Sequence, residues 1–227
     1  MQYEIIGGSF PAVKCRLTRG EAMKCESGSM SWMDAGIKMT TEGGGGLGKA
    51  LGRAFSGESI FFNKYECSAD QAEIVFASSF PGSIVPVKLE PGQTIIAQKS
   101  SFLASENTVD VAMHFHKKVG GGMFGGMGFI MQRFTGPGTV FLEIDGALEE
   151  YELAPGEIKM VDGPHLAILG TGVSFELERI KGAKNVLFGG EGLFLTKVQG
   201  PGKIWLQTMP LPGVASEIAK YIPTGTN

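Results

Sequence analysis

Two landmarks in this chain recur at one fixed spacing, and that spacing constrains the fold more than any single motif does. Leu89-Glu90-Pro91-Gly92 returns as Leu153-Ala154-Pro155-Gly156, and Gly136-Pro137-Gly138 returns as Gly200-Pro201-Gly202. Positions 92 and 156 differ by 64, and so do positions 136 and 200. Both landmarks keep one offset only if the segment between them has the same length in each copy. A looser copy lies upstream: Leu17-Thr18-Arg19-Gly20 ends at position 20, which differs from position 92 by 72. Repetition of this kind predicts similar structural units that bury a face against one another.

The residues inside each copy predict strands. Val85, Val87 and Leu89 alternate with Pro86 and Lys88, and Pro91-Gly92 then turns the chain. Val109, Val111, Met113 and Phe115 alternate with Asp110, Ala112, His114 and His116. Val173, Phe175 and Leu177 keep that phase in the later copy. Short strands between Gly/Pro turns leave no room for crossover helices, so the pattern predicts a mainly β chain of jelly-roll-like or sandwich-like modules. The boundaries are 1–80 for a first module with a Gly-rich insertion, 81–147 for a second and 148–210 for a third. Residues 211–227 form a tail, with a short C-terminal helix expected over Val214–Ile222. A second, weaker helix is expected over Leu47–Ser56, where Gly48 and Gly52 interrupt an amphipathic pattern.

Composition narrows the function classes. The 35 glycines among 227 residues are about twice the usual share and suit tight turns rather than helices. A formal net charge of −3 gives no global field favouring nucleic acid, so DNA is not expected as a partner. The start of the chain lacks a basic then apolar leader, and the apolar run Val119–Met131 is too short and too Gly-rich to span a bilayer. A cytoplasmic location is the expectation. Of the three cysteines, Cys15 and Cys25 align with Val87 and Ala97, which suits packed thiols rather than reactive ones. Cys67 reads as part of a polar turn.

Several ordered blocks resemble a known family. They are Gly43-Gly44-Gly45-Gly46-Leu47-Gly48-Lys49, Ser56-Gly57-Glu58-Ser59-Ile60-Phe61-Phe62-Asn63 and Pro81-Gly82-Ser83-Ile84-Val85-Pro86-Val87, with Phe102-Leu103-Ala104-Ser105 and the two Gly-Pro-Gly turns. Together they resemble the "altered inheritance of mitochondria" proteins of bacteria, archaea and fungi, formerly a domain of unknown function. The resemblance covers nearly the whole chain. It implies a fold related to the tryptophan RNA-binding attenuation protein, a short relative of the double-stranded β-helix, with three such modules per chain and ring-like homotrimers. Fungal members are associated with mitochondrial inner-membrane organisation. The resemblance implies no established activity, cofactor or catalytic residue.

The chemical motifs weigh towards structure. Gly43–Ala50 approaches a P-loop, but Ala50 stands where a hydroxyl must hold Mg²⁺. His114 and His116 share one strand face, opposite the apolar Val111, Met113 and Phe115, so they are expected to point away from the core and to bind no metal. No G-x-S-x-G elbow is present. The expectation is a chain that is not an enzyme and carries no cofactor. Basic residues at matching repeat positions give the one candidate site: Lys49, Arg53, Lys117, Lys118 and Lys181 as an anion-binding rim. The functional expectation is an oligomeric β scaffold or binding protein with an anionic, membrane-associated or protein partner. Single-stranded RNA and small-ligand binding are the alternatives, though few aromatics outside core phase argue against RNA.

Overall fold

The computed structural model describes residues 1–42, 62–114, 130–179 and 194–222. Nineteen strands lie among them. β1 spans Gln2–Ile6, β2 Ala12–Thr18, β3 Ala22–Glu26, β4 Met30–Met33, β5 Ile37–Glu42, β6 Phe62–Cys67 and β7 Gln71–Ala77. β8 spans Gly82–Leu89, β9 Thr94–Gln98, β10 Phe102–Glu106, β11 Asp110–His114, β12 Met131–Thr135 and β13 Gly138–Asp145. β14 spans Leu148–Leu153, β15 Ile158–Val161, β16 Leu166–Leu169, β17 Ser174–Arg179, β18 Phe194–Gln199 and β19 Gly202–Gln207. Among the described residues one α-helix, α1, follows at Leu211–Ala219. The chain is mainly β, as its composition and alternation predict.

The strands form four antiparallel sheets. Their orders are β1-β2-β7-β4, β5-β6-β3-β10-β13-β8, β11-β12-β9-β16-β19-β14 and β15-β18-β17. Pairing recurs at the spacing seen in the sequence. Leu89 pairs with Gly138 and Leu153 with Gly202. Ala97 pairs with Gln132 and Val161 with Thr196. A register shift between Phe102 and Ala104 has its counterpart between Leu166 and Ile168, and another falls between Met30 and Trp32. The turns agree too: Gly92 and Gly156 sit at φ +78° and +79°, and Gly138 and Gly202 at +134° and +132°. Only glycine occupies those regions without strain. The Gly136-Pro137 and Gly200-Pro201 peptides are both cis.

Three cores separate the four sheets. The first holds Cys15, Leu17, Ile74 and Phe76 of the first sheet against Met23, Tyr65, Leu103 and Phe141 of the second. The second holds Leu89, Phe102, Val140 and Leu142 against Ile95, Phe134 and Ile168 of the third sheet. The third holds Met131, Leu166, Leu169 and Ile204 against Val161, Phe175 and Val198 of the fourth. The two middle sheets are therefore buried on both faces.

That layering corrects the simple alternation expected from sequence. In β13 six consecutive residues, Thr139–Ile144, are buried, because Phe141 enters the first core while Val140, Leu142 and Ile144 enter the second. In β8 the fully buried residues are Ile84 and Leu89, and Val85 and Val87 are half-buried. The helix also starts earlier than expected, at Leu211 rather than Val214. Pro212 is tolerated there because a first-turn residue needs no intrahelical N–H bond, and the Asp145 carboxylate accepts the Leu211 N–H at 2.9 Å. The helix expected over Leu47–Ser56 lies outside the described residues.

Candidate functional site

The five residues of the expected basic rim, Lys49, Arg53, Lys117, Lys118 and Lys181, all lie outside the described residues. What the structure places is the strand ends that bracket them. Glu42 pairs with Phe62, His114 with Met131 and Arg179 with Phe194, so each basic stretch joins two antiparallel neighbours, β5–β6, β11–β12 and β17–β18.

His114 departs from its expected outward position. Its ring is half-buried and lies 5.8 Å from the Phe175 ring, a residue of the third core. Outward is not available on a sheet packed on both faces. His116 lies outside the described residues. His165 sits in a 3-10 turn, with Nδ1 2.7 Å from the Gln207 carbonyl oxygen. Among the described residues no three His, Cys, Asp or Glu side chains converge on a common point fit for a metal. No described helix is long and apolar enough to cross a membrane.

The cysteines are core residues. Burial pushes the Cys15 thiol up to about 12 and the Cys25 thiol up to about 11. Cys67 is not in an open turn. It closes β6, is buried in the first core, and donates to the Ala69 carbonyl at 3.3 Å. All three are free thiols.

The candidate site is a pair of open sheet edges. Both middle sheets are built of two halves joined by one strand pair. In the second sheet the half β5-β6-β3 meets the half β10-β13-β8, with Lys24 paired to Ser105. In the third the half β11-β12-β9 meets β16-β19-β14, with Ile96 paired to Leu169 and Ala97 to Ile168. The fourth sheet, β17-β18-β15, is the first kind of half without its mate. The first sheet, β4-β7-β2 with β1 added on its far side, is the second kind of half without its mate. Among the described residues, the outer edges of β15 and β4 are thus open where their counterparts are paired.

The side chains at those edges are apolar and exposed. Trp32 is 52% exposed and Met33 36%, whereas the counterparts Ala104, Ile168, Ser105 and Leu169 are all 0% exposed. On β15, Ile158 is 49% exposed and Met160 45%, although the Met160 counterpart Ile96 packs on the third core. Sequence reasoning passed over these four residues. For Trp32 and Met33 the signal is the repeat offset: an apolar residue aligned with a buried one but left exposed marks a missing neighbour.

A third feature joins the first sheet to the second. Where β7 ends and β8 begins, the Ser78 N–H donates to Pro11 O at 2.8 Å and the Gly82 N–H to Ser9 O at 2.9 Å. The Glu143 carboxylate accepts from Ser78 Oγ and from the Ser79 N–H, each at 2.7 Å. Burial pushes the Glu143 carboxyl up from its ordinary value, against those two hydrogen bonds, and the nearby Asp145 charge pushes it further. Asp145 is itself raised by burial. A carboxyl raised in the folded state holds its proton more tightly folded than unfolded. Its contribution to stability is fully present below its unfolded value of 4.5 and is lost as pH rises through the folded value. Glu143→Gln keeps an acceptor for Ser78 and Ser79 and removes the titration. The melting temperature of the variant is therefore expected to gain on the parent as pH rises from about 4 to about 8. Melting curves with a constant gap across that range would contradict this.

The chain matches the family model described as mitochondrial biogenesis AIM24 over residues 3–209. It is 28% identical over 226 residues to an uncharacterized protein of Streptococcus pyogenes serotype M6, covering 96% of this chain and 89% of that protein. Its fold is similar to the crystal structure of protein SPYM3_0169 from Streptococcus pyogenes, at a TM-score of 0.80 and 24% sequence identity, covering 97% of this chain and 99% of that one. The family match runs from within β1 to just past β19 and so takes in both open edges, and the chain belongs to the mitochondrial biogenesis AIM24 family.

Proposed function

We propose that this chain is a non-enzymatic, homo-oligomeric β scaffold of three similar modules, in which β15 of one copy pairs with β4 of the next. The observation that carries this is the pair of open half-sheets. Joined, β17-β18-β15 and β4-β7-β2 reproduce the strand order of both middle sheets. In the joined sheet Trp32 takes the position that Ala104 holds in the first core and Ile168 in the second, and fills the third core of the neighbouring copy. Met160 and Met33 lie opposite each other, as Ile96 and Leu169 do. A contact between two different edges is head-to-tail, and it ends in a closed ring or an open filament. The family resemblance implies closure at three copies.

Such a ring repeats each basic stretch threefold. Lys49, Arg53, Lys117, Lys118 and Lys181 then offer an anionic or membrane-associated partner many weak contacts at once, each worth on the order of 1 kcal/mol near an anionic surface. The assembly is tested by native mass spectrometry of the untagged chain. A trimer is expected, and a monomer at every concentration would overturn the scaffold reading.

A further inference from the structure

Among the described residues, little of the chain covers the helix α1. Leu211, Ile218 and the following Tyr221 and Ile222 are 44%, 54%, 85% and 59% exposed, and only Val214 of the stripe Leu211, Val214, Ile218 is half-buried. Positions 211, 214 and 218 lie on one helical face, and the described residues leave that apolar face largely exposed. What holds the helix is at its start: the Asp145 carboxylate on the Leu211 N–H, the Asp145 carbonyl on the Met209 N–H at 3.2 Å, and the Ala147 carbonyl on the Thr208 N–H at 3.1 Å.

At the other end of the chain, Phe10 is 74% exposed. It sits in the tripeptide Ser9-Phe10-Pro11, which recurs as Ser79-Phe80-Pro81, where the phenylalanine is half-buried. Ser79-Phe80-Pro81 lies in the continuous linker that carries β7 into β8. The next linker, from β13 into β14, bonds back onto it through the Gly146 N–H and Pro81 O at 2.9 Å. At a joint between two copies that linker is broken. It leaves one copy as Thr208-Met209-Pro210 and continues into α1, and it enters the next copy as Gly7–Pro11, carrying Phe10.

We propose that α1 is an intersubunit clasp whose apolar face, Leu211, Val214 and Ile218, covers Phe10 of the next copy. The proposal rests on the head-to-tail scaffold, and its occupant is a second copy of this chain. The two exposed apolar groups are the free ends of one interrupted linker, so joining β15 to β4 delivers them to the same joint. The arrangement locks neighbours through side chains outside the sheet. It also explains why an apolar helix with one ion pair of its own, Lys220–Glu217, stands exposed on a single copy.

The test uses the full chain. Phe10→Ser removes a side chain that is largely exposed in one copy, so the melting temperature of the dissociated chain is expected to stay the same. The concentration for half-dissociation should rise at least tenfold. Ile218→Asp should do the same. Mixing a Phe10→Cys chain with an Ile218→Cys chain under mild oxidation should give a disulfide between copies, because the native cysteines are buried. An oligomer that persists without that cross-link, and that neither substitution weakens, overturns the clasp and leaves the scaffold standing. A parent chain that never associates overturns both.

Discussion

Trp32→Glu is expected to turn the oligomer into monomers at concentrations where the parent chain is fully assembled. In one copy Trp32 is about half exposed, so the substitution costs the isolated fold little. In the proposed joined sheet the same position would face the neighbour's third core, which holds Val161, Phe175 and Val198. A carboxylate there has no partner, and an uncompensated buried charge costs roughly 3 kcal/mol or more, about two decades in the dissociation constant. Buried tryptophans near the centre of an interface commonly dominate its energy. The register gives a stricter check. Met160→Lys and Met33→Glu should each weaken association, and the two together should recover part of the loss, because the proposed register sets Met160 opposite Met33 across the joint. Sedimentation of the single and double variants reads both effects. Additive losses, with no recovery in the double variant, would place the wrong residues opposite each other.

The chain's β character, its turn glycines and the offset between its copies were legible in the sequence, because each leaves a local mark. Gly92 and Gly156 need positive φ, and a Pro-Gly pair announces that. The layering was not legible. A strand buried on both faces loses its period of two, so β13 reads as a plain apolar run and His114 reads as outward. The open edges of β4 and β15 were missed for a related reason. Met30-Ser31-Trp32-Met33 looks like any short strand until its counterparts at Phe102–Ser105 and Leu166–Leu169 are seen to be buried by a neighbouring half-sheet. The basic stretches were found from charge and spacing, but the residues themselves lie beyond the paired strand ends that the structure describes.

Phe141→Ala should strongly destabilise one copy. Phe141 is fully buried in β13, paired to Pro86 on one side and Ala104 on the other. Its ring enters the first core, which is otherwise built largely from residues before position 80, and packs edge-on to Tyr3 at 5.0 Å and 77°. It is therefore a large side chain by which the second sheet holds the first. Its neighbours in that core, Leu103 and Ile74 among them, sit on hydrogen-bonded strands and cannot close over a hole. Removing a buried phenylalanine leaves lost transfer energy plus a cavity, about 3–5 kcal/mol together. For a domain of this size that lowers the melting temperature by roughly 10 °C. Phe141→Leu refills most of the volume and should lose less than half as much. The contrast with Phe10 isolates the cause. Both are phenylalanines near strand pairs, but Phe10 is exposed in one copy, so its truncation should leave the melting temperature of the dissociated chain where it was. If calorimetry of dilute, dissociated protein found the two alanine variants equally destabilised, Phe141 would not be the bridge between the first two sheets.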